Sequence, residues 1–365
     1  MLKIADIRAY AVCVPLLHPF KAAYGTRDSA DFVVVEIEDN EGRIGLGEAS
    51  TIPIYDEGSQ AGVVYVLQKH LKPLLKGRDP RSIEENMFLV GKAVKGERYL
   101  KSALDFALHD LAGKIYGIPV CQLLGGTLHP IPVCWVLSAK DAGEIKVEAA
   151  CKLKEGFTVF KLKVGVDTKI DLSNLEALRE TVGESEIRLD GNEAWRPKEA
   201  LEQIRLFNLY RPSHLEQPVP ARDLEGLRFV ARHSPIPVSA DEVALTAADC
   251  INLARFGAAD RVNIKLSRCG GYVEGRRMIS IAEAANQQPF LGSMLELGLG
   301  TAASAHFAAA VSGMEFLATE LVGPLLLKED ILVQPLNYRD GCLHLPHGPG
   351  LGVELNREAL AEFLI

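Results

Sequence analysis

The sequence predicts an α/β chain, a (β/α) barrel behind an α+β front domain, on three observations. After about residue 128, short apolar segments alternate with amphipathic helical patterns for nearly 200 residues. Such alternation implies a parallel sheet, and this many consecutive units suit a closed barrel better than an open doubly wound sheet. An ionisable residue recurs at the end of one strand after another, and no G-x-G-x-x-G follows a strand, which argues against a Rossmann site.

In order, the front reads as a strand near residues 3 to 14, then "DFVVVEIED" and "RIGLGEAS" as a hairpin about the turn "DNEG". "SALDFALHDLAGK" places Leu104, Leu108 and Leu111 at helical intervals. The later strands are "IPVCWVLS", "VFKLKVG", "EIRLDGNE", "HLEQP", "PVSADE", "RVNIKLSR" and "QPFLGSMLE". Between them, "DLSNLEALRETVG" carries Leu172, Leu175, Leu178 and Val182 on one stripe, and "RPKEALEQIRLF" has Pro197 suited to a first helical turn.

Composition narrows the class. The 365 residues are 48% hydrophobic and 24% charged, ordinary for a globular protein of two domains or one large domain with a cap. A net charge of −8 with no basic block leaves no electrostatic footprint for nucleic acid or an anionic membrane. Seven scattered cysteines without C-x-x-C suggest neither a disulfide framework nor a zinc cage. The start lacks an apolar targeting core, and no stretch approaches 18 uninterrupted apolar residues, so the expectation is a soluble cytoplasmic protein.

Catalytic groups in a barrel gather at the C-terminal ends of the strands. Lys163, Asp190, Glu216, Asp241, Lys265 and Glu296 follow one another at intervals of 27, 26, 25, 24 and 31 residues, so all six are expected at one rim. A lone acid at a strand end reads as a cap or an ion pair. Asp190, Glu216 and Asp241 on three adjacent strands read instead as an all-oxygen site for a hard divalent cation, Mg²⁺ first and Mn²⁺ second.

"FKLKVG" places Lys161 and Lys163 on one face of a strand and Phe160, Leu162 and Val164 on the other. In isolation such a pair reads as a solvated edge. In mid-barrel, Lys163 and Lys265 on two sides of the metal suit acid/base action on opposite substrate faces. The reference lysine pKa is about 10.4, and the expectation is that the Lys161 ammonium and a nearby divalent cation lower that of Lys163. His344 and His347 read as surface residues of a turn, and His306 and His109 as structural. No G-x-S-x-G or Cys/His pairing suggests a covalent nucleophile.

At these residues the chain resembles the enolase superfamily, in its muconate lactonizing enzyme subgroup. The resemblance rests on K-x-K (Lys161, Lys163), D-x-N (Asp190, Asn192), "EQP" (Glu216), "ADE" (Asp241, Glu242) and "NIKLSRCGG" (Lys265), with "GLGEAS", "KSALDFALHDLAGK", "LLGG", "SMLELGLGTAASAH", "TELVGPLLLKEDIL" and "PHGPGLGV" in the expected order. It implies a modified (β/α)7β TIM-like barrel over residues 128–320, an N-terminal α+β capping domain over 1–127, and a C-terminal segment, 321–365, returning to the cap. It implies Mg²⁺-dependent removal or return of a proton alpha to a carboxylate through an enolate, a small-molecule carboxylate partner and a homo-oligomer. Lys163 is then the principal acid/base, Lys265 lies opposite, Lys161 tunes and stabilises, Glu296 helps to hold the site, and Asn192 and Glu242 support the metal ligands. Cap loops near residues 20 to 28 and 50 to 58 are expected to close over the site, offering Lys21, Tyr24, Ile54 and Tyr55, with Glu320 from the last strand.

A muconate cycloisomerase-like reaction is the leading expectation. "GNEAWRPKEAL", "EQPVPARDLEGL" and "HPFKAAYGT" look closer to dipeptide epimerases and N-succinylamino acid racemases, so epimerisation or racemisation of dipeptides or N-acylamino acids is the alternative, with o-succinylbenzoate synthase-type dehydration beside it. Glu320 and Val322 stand where dipeptide epimerases carry D-x-D. A catalytically silent barrel predicts erosion of the strand-end set, and every member is present.

Overall fold

The structure, a computed structural model, describes residues 1–55, 58–312 and 318–365. The chain opens with Ile4–Ala22 and Gly25–Asp39 as an antiparallel pair, to which Ile44–Thr51 adds a third strand. The first strand therefore runs well past residue 14. Pro15 and Pro19 cannot donate to a ladder, and the register shifts between Pro15 and Phe20, which hides the continuation in the sequence. What reads as a loop near 20 to 28 is the tip of this hairpin, with Phe20 opposite Arg27 and Lys21 opposite Thr26.

Both faces of this sheet are covered. Val33, Val35 and Ile37 pack with Leu104, Leu108 and Leu111 of the helix Arg98–Tyr116, forming the core of the cap. The alternate residues Phe32 and Val34 join the barrel's core instead. The helix lies so close that a Cβ on Gly47 would stand 1.9 Å from the carbonyl oxygen of Ala103, and one on Gly45 2.1 Å from that of Ala107. Gly47→Ala is accordingly expected to destabilise the protein by about 1–3 kcal/mol or more, as overpacking against backbone does. An unchanged denaturation midpoint would contradict that close approach.

The barrel strands are Trp135–Leu137, Val159–Lys163, Glu186–Asp190, His214–Glu216, Val238–Ala240, Arg261–Ile264 and Gln288–Leu291, all parallel and adjacent in chain order. Thr319 and Glu320 bridge the first and last of them. Cys134 N donates to Thr319 O (2.7 Å), Thr319 N to Pro132 O (2.8 Å), and Glu320 N to Leu291 O (3.0 Å). "IPVCWVLS" is thus not one strand. Ile131–Pro132 leaves the barrel to pair with Cys342–His344 in a small antiparallel sheet. The intervening helices follow the sequence: Thr168–Val182 buries Leu175, Leu178 and Val182, and Pro197 opens Pro197–Phe207.

Buried polar groups fasten the cap helix to its surroundings. Ser102 Oγ donates to Leu266 O (2.8 Å) and accepts from Gly270 N (3.1 Å), while Asp105 accepts from the amide of Tyr272. Asp110 accepts from Leu46 N (2.8 Å) and Leu351 N (2.7 Å). The C-terminal segment returns to the first strand, with Cys13 N donating to Phe363 O and Ile365 N to Ala11 O. All seven cysteines are free thiols. Among the described residues no helix is long and apolar enough to cross a membrane.

Candidate active site

The strand Val159–Lys163 sends Phe160 and Leu162 into the core and Lys161 and Lys163 to the opposite face. That face is dry: Lys161 is 1% exposed and Lys163 8%. Register places Lys163 beside Asp190 and Asp190 beside Glu216. Asp241 and Lys265 each follow their strand by one residue. One carboxylate oxygen from each of Asp190, Glu216 and Asp241 lies within 4.8 Å of the others.

Two lysines flank this triad from opposite sides. Lys163 Nζ donates to Asp190 Oδ2 (2.6 Å) and Asn192 Oδ1 (2.9 Å). Four strands along the sheet, Lys265 Nζ donates to Asp241 Oδ2 (2.6 Å). Lys161 sits deeper, 2.8 Å from Glu216 Oε1, 2.9 Å from Asp190 Oδ2 and 2.9 Å from both oxygens of Glu320. Asn192 Nδ2 reaches Glu242 Oε1 at 2.9 Å. Burial and the neighbouring Asp241 push the Glu242 carboxyl up to about 8.

Electrostatics divide the triad. Burial favours protonation of Asp190, but Lys161 and Lys163 hold its carboxyl well below the usual carboxylate range. Arg268 and Lys265 do the same for Asp241. Burial and the nearby Asp190 charge drive Glu216 well above its ordinary value, with Lys161 opposing. Glu216 Oε2 is buried without a hydrogen-bond partner. An orphaned carboxylate oxygen within an all-oxygen triad fits a hard divalent cation.

The Lys161 ammonium acts on the Lys163 pKa in the expected direction, but among the protein's own groups the net shift is upward. Burial and the Lys161 ammonium both push it down, but the Asp190 carboxylate at 2.6 Å outweighs them and the pKa is raised. The sequence names Lys161 as a like-charged neighbour but not the shorter contact to the acid.

Glu296 departs from its expected position. It follows Leu291 by five residues, in the turn before the helix Gly298–Ala308, and its carboxylate accepts from Ser267 Oγ (2.7 Å), Met294 N (3.0 Å) and Ser293 Oγ. It faces Glu48 of the cap, whose carboxyl is pushed up to about 8 by burial and accepts from Leu297 N and Gly300 N. The wider interval of 31 residues was the sign that it had passed the rim.

The cap residues also sort differently from expectation. Tyr24 and Tyr55 line the cavity with ring centroids 4.8 Å apart. Lys21 is exposed and Ile54 is 55% exposed. Phe20, Arg27 and Ile52 line the cavity where Lys21 and Ile54 do not; side chains alternate along the extended hairpin, which separates Phe20 from Lys21, whereas Ile54 lies in a turn beyond the strand Ile44–Thr51. Asp56 and Glu57 of the second cap loop lie outside the described residues.

Sequence reasoning assigned no role to two buried residues here. Arg268 Nη2 donates to Asp241 Oδ1 (2.6 Å) and its carbonyl oxygen (2.7 Å), and Nη1 to Tyr55 Oη (3.0 Å). Gln217 Oε1 accepts from Asp241 N at 2.9 Å. The signal for Arg268 was an arginine one helical turn beyond Lys265, on the turn Leu266–Cys269. Tyr55 Oη donates to Asp241 Oδ2 (2.9 Å), so the cap and barrel meet on a triad member.

Two family models match the chain. Residues 5–125 match "Mandelate racemase / muconate lactonizing enzyme, N-terminal domain", and residues 144–359 match "Enolase C-terminal domain-like". The chain is 36% identical to muconate cycloisomerase 1 of Rhodococcus opacus over 98% of each chain. It is 34% identical to an N-succinyl-L-Arg/Lys racemase of Bacillus cereus, over 100% of this chain and 98% of the other. A crystal structure of muconate lactonizing enzyme from Pseudomonas fluorescens, complexed with muconolactone, superposes with a TM-score of 0.96 at 35% identity, covering 100% of this chain and 99% of that one. Sequence and architecture agree along the full length, and the chain belongs to the mandelate racemase / muconate lactonizing enzyme family of the enolase superfamily.

Proposed function

We propose that the protein is an isomerase that removes or returns a proton on the carbon alpha to a substrate carboxylate, with cycloisomerisation of a muconate-type diacid as the leading reaction. The carrying observation is the pair of buried lysines, Lys163 and Lys265, on opposite sides of three clustered carboxylates. Asp190, Glu216 and Asp241 would hold Mg²⁺, or Mn²⁺ in its place. The bound cation supplies fixed positive charge against the negative charge that develops on the substrate.

The protein's own groups do the rest. Lys163 Nζ, aimed by Asn192, exchanges the proton with the substrate carbon, and Lys265 Nζ serves the other face. Lys161 stays protonated, because Asp190, Glu216 and Glu320 more than offset the effect of burial, and it holds those carboxylates in place. Glu242 fixes Asn192. Tyr24 and Tyr55 exclude water from the cap side. Glu296, bonded to Ser267 and Ser293, contributes by fixing the turn beneath the cap rather than by touching substrate. The divisions 1–127, 128–320 and 321–365 go with this reading, supported by the return of the tail to the first strand. An assembly of identical chains also goes with it and is checked by light scattering.

Epimerisation or racemisation is the second reading, favoured by the similarity to the N-succinyl-L-Arg/Lys racemase, since two lysines on opposite faces also suit inversion of a stereocentre. Incubating the Mg²⁺-loaded protein in D₂O with muconates, N-succinylamino acids, dipeptides and hydroxy acids separates the outcomes. Lactone formation supports the first reading and deuterium uptake with inversion the second. Loss of water indicates a dehydratase. No product and no deuterium uptake from any of them would sink the proton-transfer reading.

L-Ala-L-Glu is expected to be a poor substrate, on the order of 10²-fold below the best compound in kcat/KM, because a buried ammonium left unpaired is heavily penalised. Val322 offers it no acceptor, and both oxygens of Glu320 are bonded to Lys161. Efficient epimerisation of this dipeptide would overturn that expectation.

A further inference from the structure

We propose that Glu48 and Glu296 share one proton in a latch between cap and barrel, and that this latch positions Lys265 through Ser267. The role given to Lys265 rests on the proton-transfer reading above, whereas the shared proton does not. Both carboxyl groups are fully buried. Among the described residues neither has a basic side chain as a partner: each hydrogen bond they accept comes from a backbone amide or a serine hydroxyl. Gly300, in the first turn of the helix Gly298–Ala308, lies against both. A Cβ on it would stand 3.0 Å from Glu296 Cβ and Cγ and 3.0 Å from the Glu48 carboxyl carbon.

Two carboxylates this close and this deep repel strongly, and with no cation between them the pair is most stable carrying a single charge. Burial and then the Glu296 charge, opposed by the hydrogen bond from Ser50, push the Glu48 carboxyl up to about 8. The charged groups on the surrounding elements are engaged elsewhere: Glu36 with Arg8, Asp105 with His109, Asp110 with Lys114, and Lys265 and Arg268 with Asp241. Asp330 accepts from Gly298 N and Ile331 N, and Tyr338 Oη donates to Leu321 O. The path to the site is short. Glu48, on the cap strand Ile44–Thr51, accepts from Leu297 N (3.0 Å) and Gly300 N (2.7 Å) of the barrel, and Glu296 accepts from Ser267 Oγ (2.7 Å). Ser267 lies on the turn Leu266–Cys269, which Arg268 N and Cys269 N close by donating to Lys265 O at 2.9 Å each. A displaced Glu48 therefore moves Glu296, Ser267 and the backbone of Lys265 in turn.

The test compares Mg²⁺-loaded full-length wild type with Glu48→Gln, in which the side chain keeps its size but cannot carry the second charge. A carboxyl whose pKa is raised on folding contributes stability that is fully present below its ordinary value of about 4.5 and is lost as pH rises through the folded value of about 8. The thermal midpoint of Glu48→Gln should therefore rise relative to wild type from about pH 5 to about pH 8 and level off beyond, whatever constant offset the lost amide acceptor adds. Turnover of cis,cis-muconate and deuterium uptake into N-succinyl-L-phenylalanine are followed over the same range. The kcat ratio of Glu48→Gln to wild type should climb about tenfold as the pH passes about 8, with KM little changed, because in wild type the second charge shifts Ser267 and with it Lys265. A midpoint difference that stays constant with pH overturns the shared proton. A sloping midpoint difference beside a flat kcat ratio overturns the path to Lys265. Neither product nor deuterium uptake from the two compounds in wild type removes the proton-transfer reading, while the midpoints still decide the shared proton.

Discussion

Lys163→Ala is expected to lower turnover by roughly 10²- to 10⁴-fold, the range general acid/base catalysis commonly supplies. The ammonium is buried, fixed by Asp190 at 2.6 Å and Asn192 at 2.9 Å, and open to the cavity. Alanine removes the proton carrier and leaves Asp190 its other cation, Lys161, at 2.9 Å. The fold should therefore survive, and circular dichroism together with Mg²⁺ binding would confirm that the loss is chemical. Lys265→Ala separates the two faces: in a cycloisomerase one lysine should dominate, whereas in a racemase each variant should still exchange deuterium with one enantiomer. If Lys163→Ala kept near-normal turnover while Lys265→Ala was dead, the principal proton carrier would lie across the barrel.

Glu216→Gln is expected to weaken Mg²⁺ binding on the order of 10²-fold or more, since the hard cation would lose one of three anionic ligands. The same change should leave the metal-free protein as stable as before, or more so. Burial and the nearby Asp190 already drive the Glu216 carboxyl well above its ordinary value, and a neutral amide relieves that repulsion. Asp241→Asn should behave differently. Asp241 accepts from Lys265, Arg268 and Tyr55, so neutralising it leaves buried cations underpaired and costs about 3–5 kcal/mol even without metal. Calorimetric titration with Mg²⁺ and thermal denaturation with and without the ion read both effects, because a ligand that binds only the native state raises its stability. Undiminished affinity in both variants would remove these residues from the metal site.

Periodicity and spacing made the barrel legible. Strands of near-constant separation return to the same rim, and Lys163, Asp190, Glu216, Asp241 and Lys265 lie on strand ends or one residue beyond them, where the strand still fixes direction. Glu296 had five residues in which to turn away. The cap was less legible, because Pro15 and Pro19 break the alternation that identifies a strand. Once the hairpin continues to Ala22, a one-residue step separates a side chain in the cavity from one in solvent. That step exchanges Lys21 for Phe20, and cross-strand pairing then brings in Arg27.

The sequence by itself determined the α/β class, the barrel and the chemical type of the site, since these depend on which residue types recur at which period along a chain of fixed geometry. Only the tertiary structure decided the partners: that Lys161 spans three carboxylates, that Asp190 outweighs Lys161 in setting the state of Lys163, that Arg268 and Tyr55 clasp Asp241, and that Arg27 Nε and Nη2 are buried without an acceptor. The reason is physical. Periodicity is a property of the local backbone, whereas hydrogen bonds and ion pairs act over a few ångströms between residues as distant in sequence as Tyr55 and Arg268, 213 positions apart, and depend on burial that no single segment specifies.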